Sequence, residues 1–420
     1  MYKISVFDSG LRLITYEMPH MESASVGVWA GAGGRSESAD VNGISHLLEH
    51  MVFKGTLNRN SRQIYQDIEQ VGGSINAFTA EELTCYTAKV PAAYCDTAID
   101  ILSDLYQRPL FNAEDLVKEK KVINEEIHMY RDMPGQHVQD ILFSVLWPDH
   151  PLGRILIGTE ESVGAITPAA LAAYRDRMYS MKNTVVSVAG KVSHHAVEKA
   201  LQKFFPREES RPAPELDPVR TVQRAPSCTA VVKKTEQAYL CFGIRAYKRE
   251  HPRTFALKLL SIILGESAGS RLFQEVRETH GLAYDIQTSI EKFIDAGTLV
   301  INVGTDKKKA LDCMNIILRE LGKLKKEPVT AQELDTAKQY CLGQLAMSVE
   351  KTFDHMLWMG ENMLTTSRVL TVPELVEGFR RVTAEDILEA AGELFVDENL
   401  CLSAIGPLPK KNVIMDRLHY

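Results

Sequence analysis

Two hydrophobic patterns alternate along this chain. In one, apolar and polar residues alternate with a period of two, which predicts half-buried strands. In the other, apolar residues recur every three or four positions, which predicts amphipathic helices. The predicted strands include 24–31, 183–190, 238–246 and 297–305, and the predicted helices include 61–71, 92–106, 113–131 and 331–350. Because both patterns occur in each half of the chain, we expect an α+β fold with helices packed on one face of each sheet.

A proline-rich stretch separates the two halves. The segment 206–226 contains five prolines and many charged residues, a composition typical of an extended connector. A chain of 420 residues is also too long for one ordinary hydrophobic core. We therefore predict an N-terminal domain at 1–210, a linker at 211–226 and a C-terminal domain at 227–420.

The two halves also share short stretches of similar sequence. The first two matches below have the same offset of 209 residues, whereas the third has a larger one. The matching positions are Ser61 with Ser270, Gly72 with Gly281, and 113–116 with 331–334. These matches indicate an internal duplication. Two unrelated α+β domains with similar helix starts remain the alternative, because short matches also arise by chance.

The segment 43–53, with sequence GISHLLEHMVF, is a predicted helix that is apolar on most of its surface. Its only polar side chains are Ser45, His46, Glu49 and His50, which fall on one stripe of a helix. Burying two imidazoles and a carboxylate without partners costs several kcal/mol, on the order of the known transfer penalties. A metal ion offers such a partner, because histidines at positions i and i+4 can bind one Zn²⁺. The alternative is a core helix whose histidines are satisfied by hydrogen bonds.

A catalytic zinc needs a third protein ligand as well as an open position. The predicted helix from Asn112 to about Arg131 offers two carboxylates, Glu119 and Glu126, within its apolar stripe. The residues of that stripe are Leu116, Glu119, Ile123, Glu126 and Tyr130. Taken alone, either glutamate could lie at the edge of the stripe with its carboxylate in water. Beside the histidine pair, one becomes a candidate ligand and the other a candidate support for a ligand.

Composition and charge narrow the class of protein. With 45% apolar and 25% charged residues the chain is typical of a globular protein, and a net charge of −7 without a basic stripe argues against a nucleic-acid partner. The seven cysteines form no C-x-x-C pair, which argues against a disulfide framework and a thiolate zinc cluster. No apolar run is long enough to span a membrane, and no targeting segment is recognisable. We therefore expect a cytoplasmic protein with neither a membrane nor a nucleic acid as its partner.

Four motifs together resemble those of a known family. They are HLLEH at 46–50, a glutamate 76 residues after the second histidine, GGSINAFTAEELTCY at 72–86, and SRLFQEVRETHGLAY at 270–284. With them the chain resembles, over nearly its whole length, the inverzincin peptidases of the pitrilysin superfamily (peptidase family M16). The resemblance is strongest to bacterial relatives of the catalytic subunit of the mitochondrial processing peptidase.

The resemblance implies a role for five polar residues of the two helices. It makes His46, His50 and Glu126 the ligands of one Zn²⁺ per chain, and Glu49 the general base. Glu119 corresponds to an acidic residue that supports the metal site from nearby. Because two histidines and a glutamate accept several divalent ions, other metals can replace zinc in vitro.

The resemblance also implies how the substrate binds. Asn76, Ala77 and Phe78 match a strand along which peptide substrates bind in an extended conformation. Arg277 and Tyr284 match a pair that the second half contributes to the active site. Arg277 would orient the substrate or the wall of the second half, and Tyr284 could donate a hydrogen bond to the developing oxyanion.

The fold implied by the resemblance has two homologous domains. Each is a largely antiparallel sheet with helices on one face, and the two form a clamshell around a chamber. The second half lacks the metal-binding residues, so it cannot bind a zinc of its own. The residues at the corresponding positions are Phe255, Lys258, Leu259, Ala337 and Gln344. Because a long glycine-rich loop of the noncatalytic processing-peptidase subunit is absent, a homodimer is expected rather than a heterodimer.

The expected function is that of a zinc-dependent endopeptidase or oligopeptidase that hydrolyses unfolded or extended peptides. One alternative is a catalytically inactive structural homologue, although such proteins typically have eroded motifs. Another is a maturation peptidase dedicated to a single small peptide, which the sequence separates poorly from a broad oligopeptidase.

Overall fold

The computed structural model describes residues 2–205, 212, 214–220 and 223–420. The strands are β1 (Lys3–Val6), β2 (Arg12–Glu17), β3 (Ser23–Ala30), β4 (Ser74–Thr79), β5 (Thr84–Pro91), β6 (Thr184–Gly190), β7 (Ser227–Val232), β8 (Gln237–Arg245), β9 (Ala283–Lys292), β10 (Gly297–Asp306) and β11 (Leu400–Gly406). The α-helices are α1 (Ile44–Val52), α2 (Ser61–Glu69), α3 (Cys95–Gln107), α4 (Ala113–Asp132), α5 (Pro134–Leu146), α6 (Glu160–Ala165), α7 (Pro168–Met178), α8 (His194–Phe204), α9 (Thr254–Ser261), α10 (Ala310–Lys326), α11 (Ala331–Ser348), α12 (Thr352–Thr365), α13 (Val372–Arg381), α14 (Ala384–Leu394) and α15 (Lys411–Met415). Every strand and helix predicted above is present, with ends shifted by three residues at most.

The chain folds into two compact units that exchange one segment each. Unit 1 contains the described residues of 1–128, 154–217 and 346–371, and unit 2 those of 129–153, 218–345 and 372–420. Helix α5 of the first half thus belongs to unit 2, and helix α12 of the second half belongs to unit 1. The two units therefore differ from the predicted domains, because 129–153 belongs to unit 2 and 346–371 belongs to unit 1. The predicted linker at 211–226 lies partly outside the described residues, and its described residues form neither helix nor strand.

The two units have sheets of the same topology. In unit 1 the strand order is β1-β2-β6-β3-β5-β4, and in unit 2 it is β7-β11-β8-β10-β9. Without the edge strand β1, both sheets place their strands in the chain order first, fifth, second, fourth, third. In each sheet the first and fifth strands are parallel and the other pairs are antiparallel. This agreement supports the internal duplication and confirms the predicted fold class of two largely antiparallel sheets with helices.

Strand β3 shows how both faces of the sheet in unit 1 are covered. Ala24, Val26 and Val28 point into the main core, which helices α1, α3 and α8 also line. On the opposite face Trp29 packs in a smaller cluster with methionines of α12. The sequence predicted helices on one face only, whereas α12 adds a helix to the second face. The sheet of unit 2 is likewise covered on both faces, with α5 on its second face.

Helix α12 packs closely against a hydrogen-bonded pair of residues on the sheet. The indole Nε1 of Trp29 in β3 donates a hydrogen bond to Ser187 Oγ in β6 at 2.8 Å. A Cβ atom built on Gly360 of α12 would lie 2.1 Å from Trp29 Nε1, closer than non-bonded atoms can approach. Glycine is therefore required at this point of the helix, because any side chain would push α12 away from the strands.

No helix among the described residues is both long and apolar enough to cross a membrane.

We expect Gly360→Ala to lower the free energy of unfolding by about 1–3 kcal/mol, the usual cost of an overpacked core. The matched control is Gly322→Ala in α10, where nothing lies within 4 Å of the added Cβ. There the better helix propensity of alanine should be neutral or stabilising by about 0.5–1 kcal/mol. Urea unfolding followed by tryptophan fluorescence measures both variants. Equal midpoints for wild type and Gly360→Ala would contradict this account of how α12 packs.

Candidate metal centre

Helix α1 is held at its N-terminus by a buried carboxylate. Glu37 accepts hydrogen bonds from the backbone N–H groups of Gly43 at 2.7 Å and Ser45 at 2.8 Å, and from the side chain of Asn42. Burial raises the pKa of Glu37, and these hydrogen bonds act in the opposite direction. A carboxylate at this end of a helix also interacts favourably with the helix dipole. Glu37 thereby fixes the start of the helix that carries the histidines.

Gly43 is required just before α1. Its φ of +92° lies in the left-handed region, and a Cβ there would meet the carbonyl oxygen of Ile157 at 2.7 Å. One residue into the helix, Ser45 Oγ forms a 2.7 Å hydrogen bond with Tyr174 Oη inside the core. The first turn of α1 is therefore fixed by backbone conformation, by a cap and by a buried hydrogen bond.

Three side chains of α1 and α4 converge on one point. His46 Nε2 lies 3.8 Å from Glu126 Oε2, and His50 Nε2 lies 3.9 Å from the same oxygen. One ligand atom of each residue lies within 4.8 Å of the other two, and no other such trio was found among the described residues. In a tetrahedral zinc site, ligands about 2.0–2.1 Å from the ion lie roughly 3.3 Å apart. The two distances to Glu126 exceed this by about 0.5 Å, and the three residues supply the nitrogen and carboxylate donors that zinc prefers.

His46 has the protonation state that a ligand needs. Burial, with the nearby His50, lowers the pKa of His46 to about 4. The imidazole is therefore neutral near pH 7 and its nitrogen lone pair is available. Its other ring nitrogen, Nδ1, is buried without a hydrogen-bond partner among the described residues.

His50, in contrast, has an acidic partner. Its Nδ1 lies 2.8 Å from Glu119 Oε1, so the proton on Nδ1 faces the carboxylate and Nε2 is left as the ligand atom. Burial alone would lower the pKa of His50, but the hydrogen bond and the charge of Glu119 outweigh it and the pKa is raised. Glu119 is 5% exposed and its second oxygen accepts from Lys54 Nζ at 2.5 Å. Burial would raise the pKa of Glu119, but His50 and Lys54 together lower it.

Glu49 lies on the same helix stripe but has a different partner. Thr79 Oγ1 at the end of β4 donates a 2.5 Å hydrogen bond to Glu49 Oε2. Burial raises the pKa of Glu49, and the hydrogen bond from Thr79 and the charge of His50 oppose that shift. A half-buried carboxylate with a raised pKa beside metal-binding groups is suited to accept and release a proton.

Two of these residues were missed by sequence reasoning. Thr79 falls within the 72–86 motif, and Lys54 lies one helical turn after His50. The four-residue spacing from His50 could have suggested Lys54. Its partner Glu119 lies 65 residues further along the chain, so no local pattern indicates the pair.

The predicted substrate strand is the outer strand of the sheet in unit 1. Asn76, Ala77 and Phe78 lie in β4, which pairs with β5 on one side only, and no described strand pairs with its other edge. Asn76 and Phe78 are exposed, and the Phe78 ring makes an edge contact with Trp29 at 5.8 Å between centroids. An open edge strand of this kind offers backbone N–H and C=O groups to an added strand.

Arg277 and Tyr284 lie beside each other in unit 2. The guanidinium of Arg277 lies 5.0 Å from the ring centroid of Tyr284 and 4.7 Å from that of Phe273. Tyr284 is 78% exposed at the start of β9, so its hydroxyl is accessible. The structure thus brings this pair together within unit 2, and His46, Glu49, His50, Glu119 and Glu126 together within unit 1.

Comparisons with known proteins agree with the resemblance at the level of the family, whereas the likeness to the processing peptidase stays a prediction. The family model described as insulinase (peptidase family M16) matches residues 12–160, and the one described as the peptidase M16 inactive domain matches residues 165–341. The uncharacterized zinc protease YmxG of Bacillus subtilis is 35% identical over 97% of this chain and 98% of its own length. An uncharacterized zinc protease of Mycobacterium leprae is 33% identical over 97% of this chain and 92% of its own length.

Solved structures share the fold. A protease from Helicobacter pylori superposes with a TM-score of 0.91 at 22% identity, covering 97% of this chain and 99% of that one. A structure from Pseudomonas fluorescens described as a peptidase M16 inactive domain superposes with a TM-score of 0.90 at 20% identity, covering 97% and 98% of the two chains.

We expect Glu126→Gln to weaken zinc binding by more than the roughly 100-fold that the loss of a supporting residue costs at most. The neutral amide is a poor ligand, whereas the histidines are unchanged. Glu125→Gln is the matched control, because Glu125 is the exposed neighbour on the same helix. Competition with a chromophoric zinc chelator measures both affinities. Equal affinities for the two variants would exclude Glu126 as a ligand.

Proposed function

Since the chain belongs to peptidase family M16, we propose that it is a zinc-dependent peptidase. His46, His50 and Glu126 bind the metal, and Glu49 is the general base. The observation that carries this proposal is the convergence of the three ligand atoms beside Glu49, a half-buried carboxylate with a raised pKa. The names of the relatives, which call them zinc proteases, support the choice of metal.

The reaction we propose is hydrolysis of a peptide bond. When bound, zinc supplies a Lewis acid that polarises the scissile carbonyl and makes water more acidic. Glu49 accepts a proton from the attacking water and later returns it to the leaving amine. Thr79 keeps the Glu49 carboxylate in one orientation through its hydrogen bond. The acidic partner of His50 keeps the imidazole turned so that Nε2 faces the metal.

Substrates of this enzyme are unfolded or extended peptides. The open edge of β4 supports this proposal, because an added strand there gains backbone hydrogen bonds that depend little on side chains. Asn76, Ala77 and Phe78 would flank such a peptide. A folded protein cannot present its backbone to an edge strand in this way, so folded substrates should resist cleavage.

Tyr284 is the proposed donor to the developing oxyanion, and Arg277 orients the substrate or the second-half wall. The family resemblance suggests these roles, and two observations support them: the phenol of Tyr284 is exposed, and Arg277 stacks against its ring. That the chain works in the cytoplasm as a homodimer stays a prediction, which sedimentation and cell fractionation would check.

We expect Glu49→Gln to retain zinc and lose nearly all hydrolysis, because the amide is similar in shape but cannot accept the proton. The assay is digestion of an unfolded peptide library by the zinc-loaded protein, read by mass spectrometry, with zinc content measured on the same sample. Glu69→Gln, at the exposed end of α2, is the control for loss of one glutamate.

Near-normal cleavage by Glu49→Gln would contradict the role given to Glu49. A wild type that binds zinc but cleaves no peptide would favour a catalytically inactive homologue. Cleavage confined to one sequence in the library would favour a dedicated maturation peptidase.

Tyr284→Phe should lower kcat by about 10- to 1000-fold with a smaller change in KM, because the lost hydrogen bond acts mainly in the transition state. Tyr340→Phe is a matched control on unit 2, since that hydroxyl bonds only weakly to a backbone carbonyl at 3.3 Å. An unchanged kcat for Tyr284→Phe would remove Tyr284 from the catalytic residues.

A further inference from the structure

We propose that Lys54 is a positioning residue of the metal centre, which acts on the ligand His50 through Glu119. This inference rests on the proposed zinc site and extends it by one layer. The three side chains form a continuous chain of contacts, from Lys54 Nζ to Glu119 Oε2 at 2.5 Å and from Glu119 Oε1 to His50 Nδ1 at 2.8 Å.

The geometry gives each oxygen of Glu119 one partner. A carboxylate bound through a single oxygen can still rotate about its terminal torsion, which has a broad energy minimum. With the second oxygen bound to an ammonium group, the plane of the carboxylate is fixed, and so is the oxygen that faces the imidazole. Because the Glu119 side chain is only 6% exposed, water competes little at the carboxylate, whereas the Lys54 side chain reaches it from the surface and is 36% exposed.

Lys54 is itself well placed for this role. It lies two residues after the end of α1, and its backbone N–H donates to the carbonyl of Met51 at 3.1 Å, which fixes the start of its side chain. The hydrogen bond with Glu119 matters because, among the described residues, it is the only one that orients either histidine through its Nδ1. His46 Nδ1 is buried without a hydrogen-bond partner among the described residues, so His50 alone is oriented from behind by a carboxylate.

The duplicated second half provides an internal comparison. The residues that correspond to His50 and Lys54 are Leu259 and Ile263, 209 residues later, and Ala337 corresponds to Glu119, 218 residues later. All three polar groups are thus replaced by apolar ones in the half without the metal-binding residues. Ile263 and Ala337 line a cavity of about 250 Å³ there.

This joint replacement argues that the fold does not need the ion pair for its own sake. The same helices form in unit 2, where neither Lys54 nor Glu119 has a charged equivalent. The three residues therefore belong together as parts of the metal centre. A purely structural ion pair is the competing explanation, and it predicts a loss of stability without a loss of metal affinity.

The test is zinc affinity measured on the full chain by competition with a chromophoric chelator. Lys54→Met keeps the aliphatic length and removes the charge, and we expect it to weaken zinc binding by about 10-fold, the lower end for supporting residues. Lys54→Arg keeps the charge and should restore most of the affinity. Lys118→Met is the matched control, because it removes an exposed lysine charge from α4 that pairs with Asp115 and with none of the metal-centre residues. It should leave zinc affinity unchanged.

A double-mutant cycle tests whether Lys54 acts through Glu119. If it does, Lys54→Met together with Glu119→Gln should bind zinc no more weakly than Glu119→Gln alone. Thermal melting of the metal-free variants separates a loss of folding from a loss of affinity, and Lys54→Gln serves if Lys54→Met does not fold.

Two outcomes would overturn the inference: unchanged zinc affinity in Lys54→Met, or an effect that adds fully to that of Glu119→Gln. Both would leave the proposed peptidase intact, since the wild type would still bind zinc. A wild type that binds no zinc would instead remove the proposed function itself, and with it this inference.

Discussion

The full or partial burial of ionisable groups on one apolar helix is the constraint on which the rest of the site depends. His46, Glu49 and His50 lie on a helix whose other residues are almost all core, where an unpartnered polar group costs several kcal/mol, on the order of transfer penalties. Their partners come from distant parts of the chain. Thr79 reaches Glu49 from the edge strand, and Glu119 reaches His50 from α4. The convergence of the remaining nitrogen and oxygen atoms is what a divalent metal ion would satisfy.

The duplicated architecture shows what this constraint adds to a common fold. Both units build the same five-strand order and place a helix from the other half of the chain on the second face of the sheet. In unit 2 the counterpart of α1 is α9, which has Phe255 and Leu259 at the positions of the two histidines. The fold therefore does not require the polar residues, and their presence in unit 1 calls for a chemical explanation. Membership of peptidase family M16 supplies one.

Sequence reasoning succeeded where the signal was local. The period of the apolar residues located the helices and strands. The polar stripe and the spacing of the two glutamates pointed to side chains that the structure brings near one another, although only the resemblance chose Glu126 as the ligand, and the roles stay predictions. It failed where the signal was not local. Nothing in α12 tells which sheet its apolar face will cover, because any apolar face satisfies the same pattern. Lys54 was missed for the same reason, since its partner Glu119 lies on a different helix. The roles of Arg277 and Tyr284 came from the resemblance and stay predictions.

The most direct test of the central claim is anomalous diffraction at the zinc edge from crystals of the zinc-loaded chain. The account predicts one anomalous peak per chain, about 2.0–2.2 Å from Nε2 of His46, Nε2 of His50 and a carboxylate oxygen of Glu126. A peak coordinated by other residues, or no peak at saturating zinc, would contradict the assignment of this site.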